Sequence, residues 1–333
     1  MEAPSTAIAE VSVNHSDACG RLATPAASGI MLRMIPVLHS VSYAGVWPGQ
    51  ATLTLHQFLD KAAELGFPAV MLMAKRPHLS PLDFTPDARL RLRDEIEKRG
   101  LRVQVIAGYN NFSADAEHGD VPHREIQIGH IAELARLAAD LGGGKMVRIF
   151  TAYEHPSVGY SQLWKNTVDA IRECAMRAGD LGVTIGVQNH HDLASHHDSL
   201  HDLIQAVNHP ACKAMFDAWT PALQGADLVA AASKLGPMTC HTTVADYQLR
   251  PRFHYQPNVV NFEERKAWTQ AVPMGEGFID YTGFLNALRA SGYDGGVAYE
   301  MCSPLLGGGA IENLDAHARR FLAWMRAWTL EHP

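Results

Sequence analysis

Short apolar runs alternate with amphipathic helical segments eight times along this chain, and this alternation constrains the fold more than any other feature. Each run has the length of a β-strand and is followed by a polar or glycine-rich loop. The predicted strands are residues 35–39, 69–73, 103–107, 146–150, 184–188, 213–217, 238–242 and 296–300. Eight βα units without a linker between them predict an α/β protein with a single closed (β/α)8 barrel.

The composition limits the domain organisation and the partners. Of the 333 residues, 47% are hydrophobic and 19% are charged, as in ordinary globular proteins. Residues 1–29 are rich in Ala, Ser, Thr and Pro and are predicted to be a disordered tail, and residues 30–333 are predicted to form the barrel. The formal net charge of −7 disfavours nucleic acid as a partner.

The sequence shows neither a signal peptide nor an apolar run of the roughly 18 residues that a membrane-spanning helix requires. Its five cysteines are widely separated and form no C-x-x-C pair, which favours a reducing compartment. We therefore expect a cytoplasmic protein that does not bind membranes.

One connection is much longer than the others. The segment after the seventh predicted strand, residues 243–279, exceeds the usual connection of about four to six residues several times over. It mixes cations and aromatic side chains, among them Tyr247, Arg252, Tyr255 and Phe262. This mixture suits stacking on a sugar or an aryl group, and it suits a protein partner equally well. We predict a substrate lid or a partner surface, with Tyr247 and Arg252 as substrate contacts.

Polar side chains follow four neighbouring predicted strands. They are Gln188, Asn189 and His190 after the fifth strand, Asp217 after the sixth, His241 in the seventh and Glu300 after the eighth. The active sites of such barrels lie at these strand ends, so the side chains are expected to converge. Carboxylate, imidazole and amide groups suit Mn²⁺, Mg²⁺, Co²⁺ or Zn²⁺. The alternative interpretation is a network of buried polar groups that satisfy one another.

A second polar segment follows the second predicted strand at the same end of the barrel. Lys75, Arg76 and His78 are predicted to bind an anionic or polyhydroxyl substrate there. A solvated basic loop explains the same residues.

The joint order of "VTIGVQNHHD", "KAMFDAW", "TCHTTVADY" and "VAYEMC" resembles the xylose isomerase-like TIM barrels. This superfamily includes sugar phosphate isomerases and epimerases and, more distantly, endonuclease IV. The resemblance extends from about residue 35 to about residue 325. It implies one divalent metal, with Mn²⁺ as the first choice, held by a Glu, an Asp, a His and a Glu after the fifth, sixth, seventh and eighth strands.

Two of these positions depart from the family pattern. Asp217 and Glu300 match it, but Gln188 stands where the family has Glu. On the seventh strand the pattern His-x-His-x-x-Asp is laid on "HTTVAD", which leaves Thr243 at the usual ligand position and His241 one pleat deeper. The resemblance therefore implies Asp217 and Glu300 as metal ligands, with Gln188 and His241 completing the set.

The departure at Gln188 bears on the reaction. Epimerisation in this family uses two carboxylates, and an amide cannot take up a proton at neutral pH. Glu300 remains as the base, with His190 as a second proton relay and Asn189 as a substrate contact. We predict a metal-dependent enzyme that removes a proton next to a carbonyl of a sugar or oxo-sugar, similar to sugar isomerases and epimerases.

Two alternatives stay open. The segments "RPRFHYQPNVVNF" and "YEMCSP" resemble the catalytic subunits of C-glycoside deglycosidases, lyases that eliminate an aglycone from a 3-oxo-glucoside together with a small β-sandwich subunit. A non-catalytic sugar-binding or scaffold subunit is the third possibility. The expected partners are a small sugar or glycoside, and either a second copy of the chain or a small partner subunit.

Overall fold

Eight parallel strands close into one barrel, which confirms the predicted α/β fold. The computed structural model describes residues 34–116 and 119–332. The barrel strands are β1 (Ile35–His39), β2 (Ala69–Met73), β3 (Arg102–Ala107), β4 (Met146–Ile149), β5 (Thr184–Gln188), β6 (Cys212–Met215), β7 (Thr239–Val244) and β10 (Gly296–Tyr299). β10 pairs with β1 and closes the ring. The predicted disordered tail, residues 1–29, lies outside the described residues.

Helices follow the barrel strands along the chain. They are α1 (Leu55–Leu65), α2 (Pro86–Lys98), α3 (His123–Leu141), α4 (Tyr160–Gly179), α5 (His197–Val207), α6 (Trp219–Leu223), α7 (Leu228–Leu235), α8 (Tyr281–Ala290) and α9 (Ile311–Glu331). Their ends follow from local chemistry. The Thr85 side chain caps α2 by accepting a hydrogen bond from the Ala88 amide, and Pro86 begins the helix with its φ already suited to it. None of the helices in residues 34–116 and 119–332 combines the length and the hydropathy that a membrane span requires.

The barrel interior and the layer under the helices are separate apolar clusters. The interior cluster consists of Val37, Ala69, Met71, Val105, Ala107, Met146, Met215 and Ala298. Val147 and Ile149 belong instead to the large cluster under the helices. Because side chains alternate along a strand, Arg148 shares the inward face of β4 with Met146. A permanent cation therefore lies inside the barrel, beside this apolar cluster.

The long connection after β7 contains a β-hairpin rather than a loop throughout. β8 (Asp246–Gln256) and β9 (Asn261–Val272) pair in antiparallel fashion. Phe253, Phe262 and Trp268 are more than half exposed on it. Both faces of the outer hairpin meet solvent, so its sequence lacks the alternation of apolar and polar residues that marks a half-buried strand. The prediction of a long connection was right, but its regular structure was missed.

Candidate active site

A small polar pocket of about 40 Å³ lies at the C-terminal ends of β5, β6, β7 and β10. Its lining includes Gln188, Asn189, His190, Asp217, Trp219, Thr243, Tyr247, Tyr281, Glu300 and Cys302. Six of the predicted site residues meet here, because parallel strands end at the same edge of the barrel. Lys75, Arg76, His78, His241 and Arg252 do not line this pocket.

Asp217 is held by hydrogen bonds to both of its carboxylate oxygens. Oδ1 accepts from the Thr243 amide at 2.8 Å, and Oδ2 accepts from the side-chain amide of Gln188. Burial raises the pKa of Asp217 to about 7, and the nearby Glu300 charge adds a smaller increase. The hydrogen bonds from Thr243 and Gln188 lower this pKa and offset part of the effect. The carboxyl group therefore takes up a proton near neutrality.

Asn189 fixes the backbone beneath Asp217. The Asp217 amide donates to Asn189 Oδ1 at 2.7 Å, and Asn189 Nδ2 donates to the Asp217 carbonyl at 2.9 Å. Asn189 is only 1% exposed. Both polar ends of this side chain, predicted as a substrate contact, are thus engaged with the chain itself.

Gln188 connects Asp217 to the barrel interior. Its Oε1 accepts from Arg148 Nη1 at 3.0 Å, and its Nε2 donates to Thr243 Oγ1 at 3.1 Å as well as to Asp217. A guanidinium group can only donate hydrogen bonds. The amide oxygen must therefore face Arg148, and the NH2 group must face Asp217.

Arg148 is the site residue that the sequence analysis missed. It is 3% exposed, and no carboxylate of the described chain forms an ion pair with it. Its guanidinium carbon lies 4.1 Å from the ring centroid of Phe150 and 4.8 Å from that of Tyr109, within the range of cation–π attraction. The signal was available, since Arg148 is the one cation in the apolar run at residues 146–150.

Glu300 is the second carboxylate of the pocket. Its side chain is 20% exposed, so it is accessible from the mouth. Burial raises the pKa of Glu300, and the positive charge of Arg148 opposes that shift. His39 Nε2 lies 3.9 Å from Glu300 Oε1, but burial keeps the pKa of His39 well below its ordinary value. The neighbouring imidazole is therefore neutral at physiological pH.

His190 lies in an aromatic stack at the edge of the pocket. Its ring centroid is 4.1 Å from that of Phe150 and 3.7 Å from that of His191. Burial lowers the pKa of His190 to about 3, and the charges of His191 and Arg148 add to this effect. His190 is therefore a neutral imidazole at the pH at which a proton relay would operate.

Thr243, rather than His241, occupies the place on β7 that faces Gln188 and Asp217. His241 is fully buried, and neither of its ring nitrogens has a hydrogen-bond partner within the described part of the chain. Burial lowers the pKa of His241 to about 3. The ring packs in the barrel next to Gly296, where an added Cβ would come within 2.6 Å of His241 Cε1.

The remaining predicted substrate contacts lie around the mouth or outside it. Lys75 Nζ lies 4.0 Å from the ring centroid of Tyr109, on the opposite side of the mouth from Asp217. Arg76 pairs with Asp83 through Nε at 2.9 Å, and buried His78 contacts the Leu53 carbonyl through Nε2 at 3.0 Å.

Arg252 is exposed on the hairpin, 4.9 Å from the ring centroid of Trp268. Tyr247 lines the pocket and stacks on Trp219, with 5.1 Å between ring centroids.

The donors of the pocket, as they are arranged, do not fit a shared divalent ion. Asp217, His241 and Glu300 do not place three ligand atoms within 4.8 Å of one another. In residues 34–116 and 119–332, only His196, His197 and Asp198 meet that spacing, and they lie at the start of α5. Both Asp217 oxygens and the Gln188 oxygen are already engaged with protein donors. The divalent metal, Mn²⁺ first among the alternatives, stays a prediction.

The model of the xylose isomerase-like TIM barrel family matches residues 59–328 of this chain. The chain belongs to this family. The resemblance predicted from the strand-end motifs is confirmed at this level, whereas the subgroup is a separate question. No match was found among the curated proteins.

Solved structures of this family's fold superpose over most of the chain. The probable 3-DHS dehydratase AsbF of Bacillus anthracis is 19% identical, with 87% of this chain and 99% of that chain covered and a TM-score of 0.66. D-psicose 3-epimerase of Clostridium cellulolyticum H10 is 17% identical, with 89% and 99% covered and a TM-score of 0.66. An L-ribulose 3-epimerase is 17% identical, with 90% and 95% covered and a TM-score of 0.68. At these identities the likeness establishes the fold alone.

Proposed function

We propose that this protein is an enzyme that removes a proton next to a carbonyl of a sugar or oxo-sugar, in the manner of sugar isomerases and epimerases. The observation that carries the proposal is the pair of carboxylates, Asp217 and Glu300, in one pocket at the catalytic end of the barrel. Both have raised pKa values, and Glu300 is accessible. Groups with perturbed pKa values in a pocket are typical of acid–base catalysts.

Glu300 is the base in this proposal. Its side chain reaches the mouth and has no ion-pair partner other than the neutral His39 in the described chain. Asp217 is held too firmly to move, and its pKa near 7 allows it to donate a proton to a substrate oxygen. Burial keeps the Tyr247 hydroxyl protonated by raising its pKa, so it is a second donor at the wall of the pocket.

Hydrogen exchange tests this proposal. Purified protein is incubated in D₂O with a panel of ketoses, aldoses and oxo-sugars, and deuterium at the carbon next to the carbonyl is followed by NMR. We expect stereospecific deuterium uptake into at least one of them. A panel that shows no uptake above the rate without protein would contradict the proposal and favour a non-catalytic sugar-binding subunit.

A lyase that eliminates an aglycone from a 3-oxo-glycoside is the second candidate. The stacked Trp219 and Tyr247 rings form an aromatic wall in the pocket, which suits an aryl leaving group. One structure of similar fold is a probable 3-DHS dehydratase, and a dehydration is itself an elimination. The exposed β8–β9 hairpin offers a surface for the small partner subunit that this alternative includes.

A further inference from the structure

The family resemblance implies a divalent metal as the source of positive charge in this pocket. The side chains around Asp217 point to a different source. We propose that Arg148, acting through the Gln188 amide, supplies the fixed positive charge of this pocket and that no divalent ion binds between Gln188 and Asp217. The part about the metal is independent of the proposed function. The part about catalysis rests on it.

The direction of the Gln188 amide is the first step of the argument. Arg148 donates to Oε1 at 3.0 Å, so the amide turns its NH2 group toward Asp217 and Thr243. A metal ion at that place would meet N–H hydrogens instead of an oxygen lone pair. Reversing the amide would set its NH2 group against a guanidinium group and would leave a buried donor without an acceptor, which is unfavourable.

The second step is the state of Asp217 and Thr243. One Asp217 oxygen accepts from a backbone amide and the other accepts from Gln188. The Thr243 hydroxyl accepts from the same Gln188 amide. Each of these oxygens already accepts a hydrogen bond from the chain itself, so an ion between Gln188 and Asp217 would have to displace the Gln188 hydrogen bonds to bind.

The third step is the burial of Arg148. A buried cation is normally paired with a carboxylate, because an uncompensated charge in the interior is costly. Arg148 is 3% exposed and has an amide and two aromatic faces as neighbours instead, and its Nε has no hydrogen-bond partner in the described residues. A fixed cation near the base is suited to stabilising negative charge that develops on a substrate. It acts through Gln188, and Arg148 is therefore a positioning residue.

Metal analysis tests the first part without any substrate. The full chain is analysed by mass spectrometry for metals after purification, and again after incubation with excess Mn²⁺ and desalting, beside Asp217→Ala. We expect no metal that depends on Asp217. Any ion held equally by both proteins lies elsewhere, for example at His196–Asp198, and agrees with the proposal. One Mn²⁺ per chain that is lost in Asp217→Ala overturns it.

Deuterium exchange in the presence of EDTA tests the second part. Exchange should persist in EDTA, should fall by about 100-fold in Arg148→Met, and should be partly restored in Arg148→Lys, which keeps the charge. Equal rates in wild type and Arg148→Met, or no advantage of Lys over Met, overturn the role of the charge. If Arg148→Met does not fold, Gln188→Leu, which removes the link to Asp217, takes its place. If no sugar exchanges at all, the proposed function fails, while the metal analysis still decides the first part.

Discussion

Asn189 and Asp217 are joined by two reciprocal hydrogen bonds, at 2.7 and 2.9 Å, between the ends of β5 and β6. The asparagine amide therefore binds the backbone from which the Asp217 carboxylate projects. A side chain that matches both a donor and an acceptor of a neighbouring strand end fixes the position of a reactive group more firmly than one bond would.

Replacement of Asn189 by Ala should lower the free energy of unfolding by about 1–3 kcal/mol, because the buried amide and carbonyl of Asp217 lose their partners. Urea unfolding followed by circular dichroism measures the change. Asn166→Ala, at a half-buried position on α4 where the side-chain oxygen accepts an exposed hydrogen bond from Gln162, is the control and should change stability by no more than about 0.5 kcal/mol. Equal stability of the two variants would show that the bridge does not hold the strand end.

Replacement of Glu300 by Gln should lower the rate of deuterium exchange by about 100-fold to 10,000-fold, since the base is lost while the shape of the pocket is kept. The melting temperature should change little, because the side chain lies at the mouth rather than in the barrel core. Glu97→Gln, at an exposed site on α2, is the control. Unchanged exchange in Glu300→Gln would assign the base to another residue.

The barrel could be predicted from sequence because its signal is local and repeated. All eight predicted strands are present, and the segments 35–39, 69–73 and 184–188 agree with β1, β2 and β5 at both ends. A run of apolar residues buried on both faces needs no knowledge of its partners to be recognised. The hairpin after β7 was missed because its stability comes from the pairing of two exposed segments, which no periodicity within either segment reveals.

The site could be predicted only in part. Asp217 and Glu300 were found because the strand-end rule places them in the mouth whatever their partners are. Tyr247 was found from the aromatic residues of the long connection, and it lines the same pocket. The orientation of the Gln188 amide depends on Arg148, 40 residues away in the chain, and such a contact exists only after the barrel has closed. The question whether His241 or Thr243 faces Asp217 likewise depends on the register of β7, which includes an irregularity against β6.

Acidification should destabilise the wild type relative to His241→Asn. Burial lowers the pKa of His241 to about 3 in the folded protein, so between about pH 6.5 and 3 the unfolded chain binds a proton that the folded chain does not. Above pH 6.5, His241 therefore does not reduce the free energy of unfolding. Below pH 6.5, that free energy falls as the pH falls. Between pH 7.5 and 5.0 the wild type should lose about 2 kcal/mol more than the variant, by urea unfolding in EDTA.

Other groups titrate in both proteins and cancel in that comparison, including Asp217, whose raised pKa acts in the opposite direction. His254→Asn, on the exposed hairpin, is the matched control and should follow the wild type at both pH values. A stability difference between wild type and His241→Asn that is the same at pH 7.5 and 5.0 would show that His241 binds its proton as readily in the folded barrel as in the unfolded chain.

The aromatic wall of the pocket separates the isomerase proposal from the lyase alternative. Once Glu300 has removed a proton beside a carbonyl, the carbanion is either reprotonated or expels a β-substituent, and the groups around the substrate decide which occurs. If Trp219 and Tyr247 hold an aryl aglycone, Trp219→Leu should lower aglycone release from an aryl 3-oxo-glucoside by about 10-fold to 200-fold, because a large apolar contact is lost. Tyr160→Leu, at an exposed position on α4 outside the pocket lining, is the control, and its release rate should stay at the wild-type value. Chromatography of the free aglycone measures both rates, with the assay repeated on simple ketoses in D₂O.

Exchange into free sugars without any aglycone release from the wild type would exclude the lyase, whereas release without exchange into any free sugar would replace the isomerase proposal.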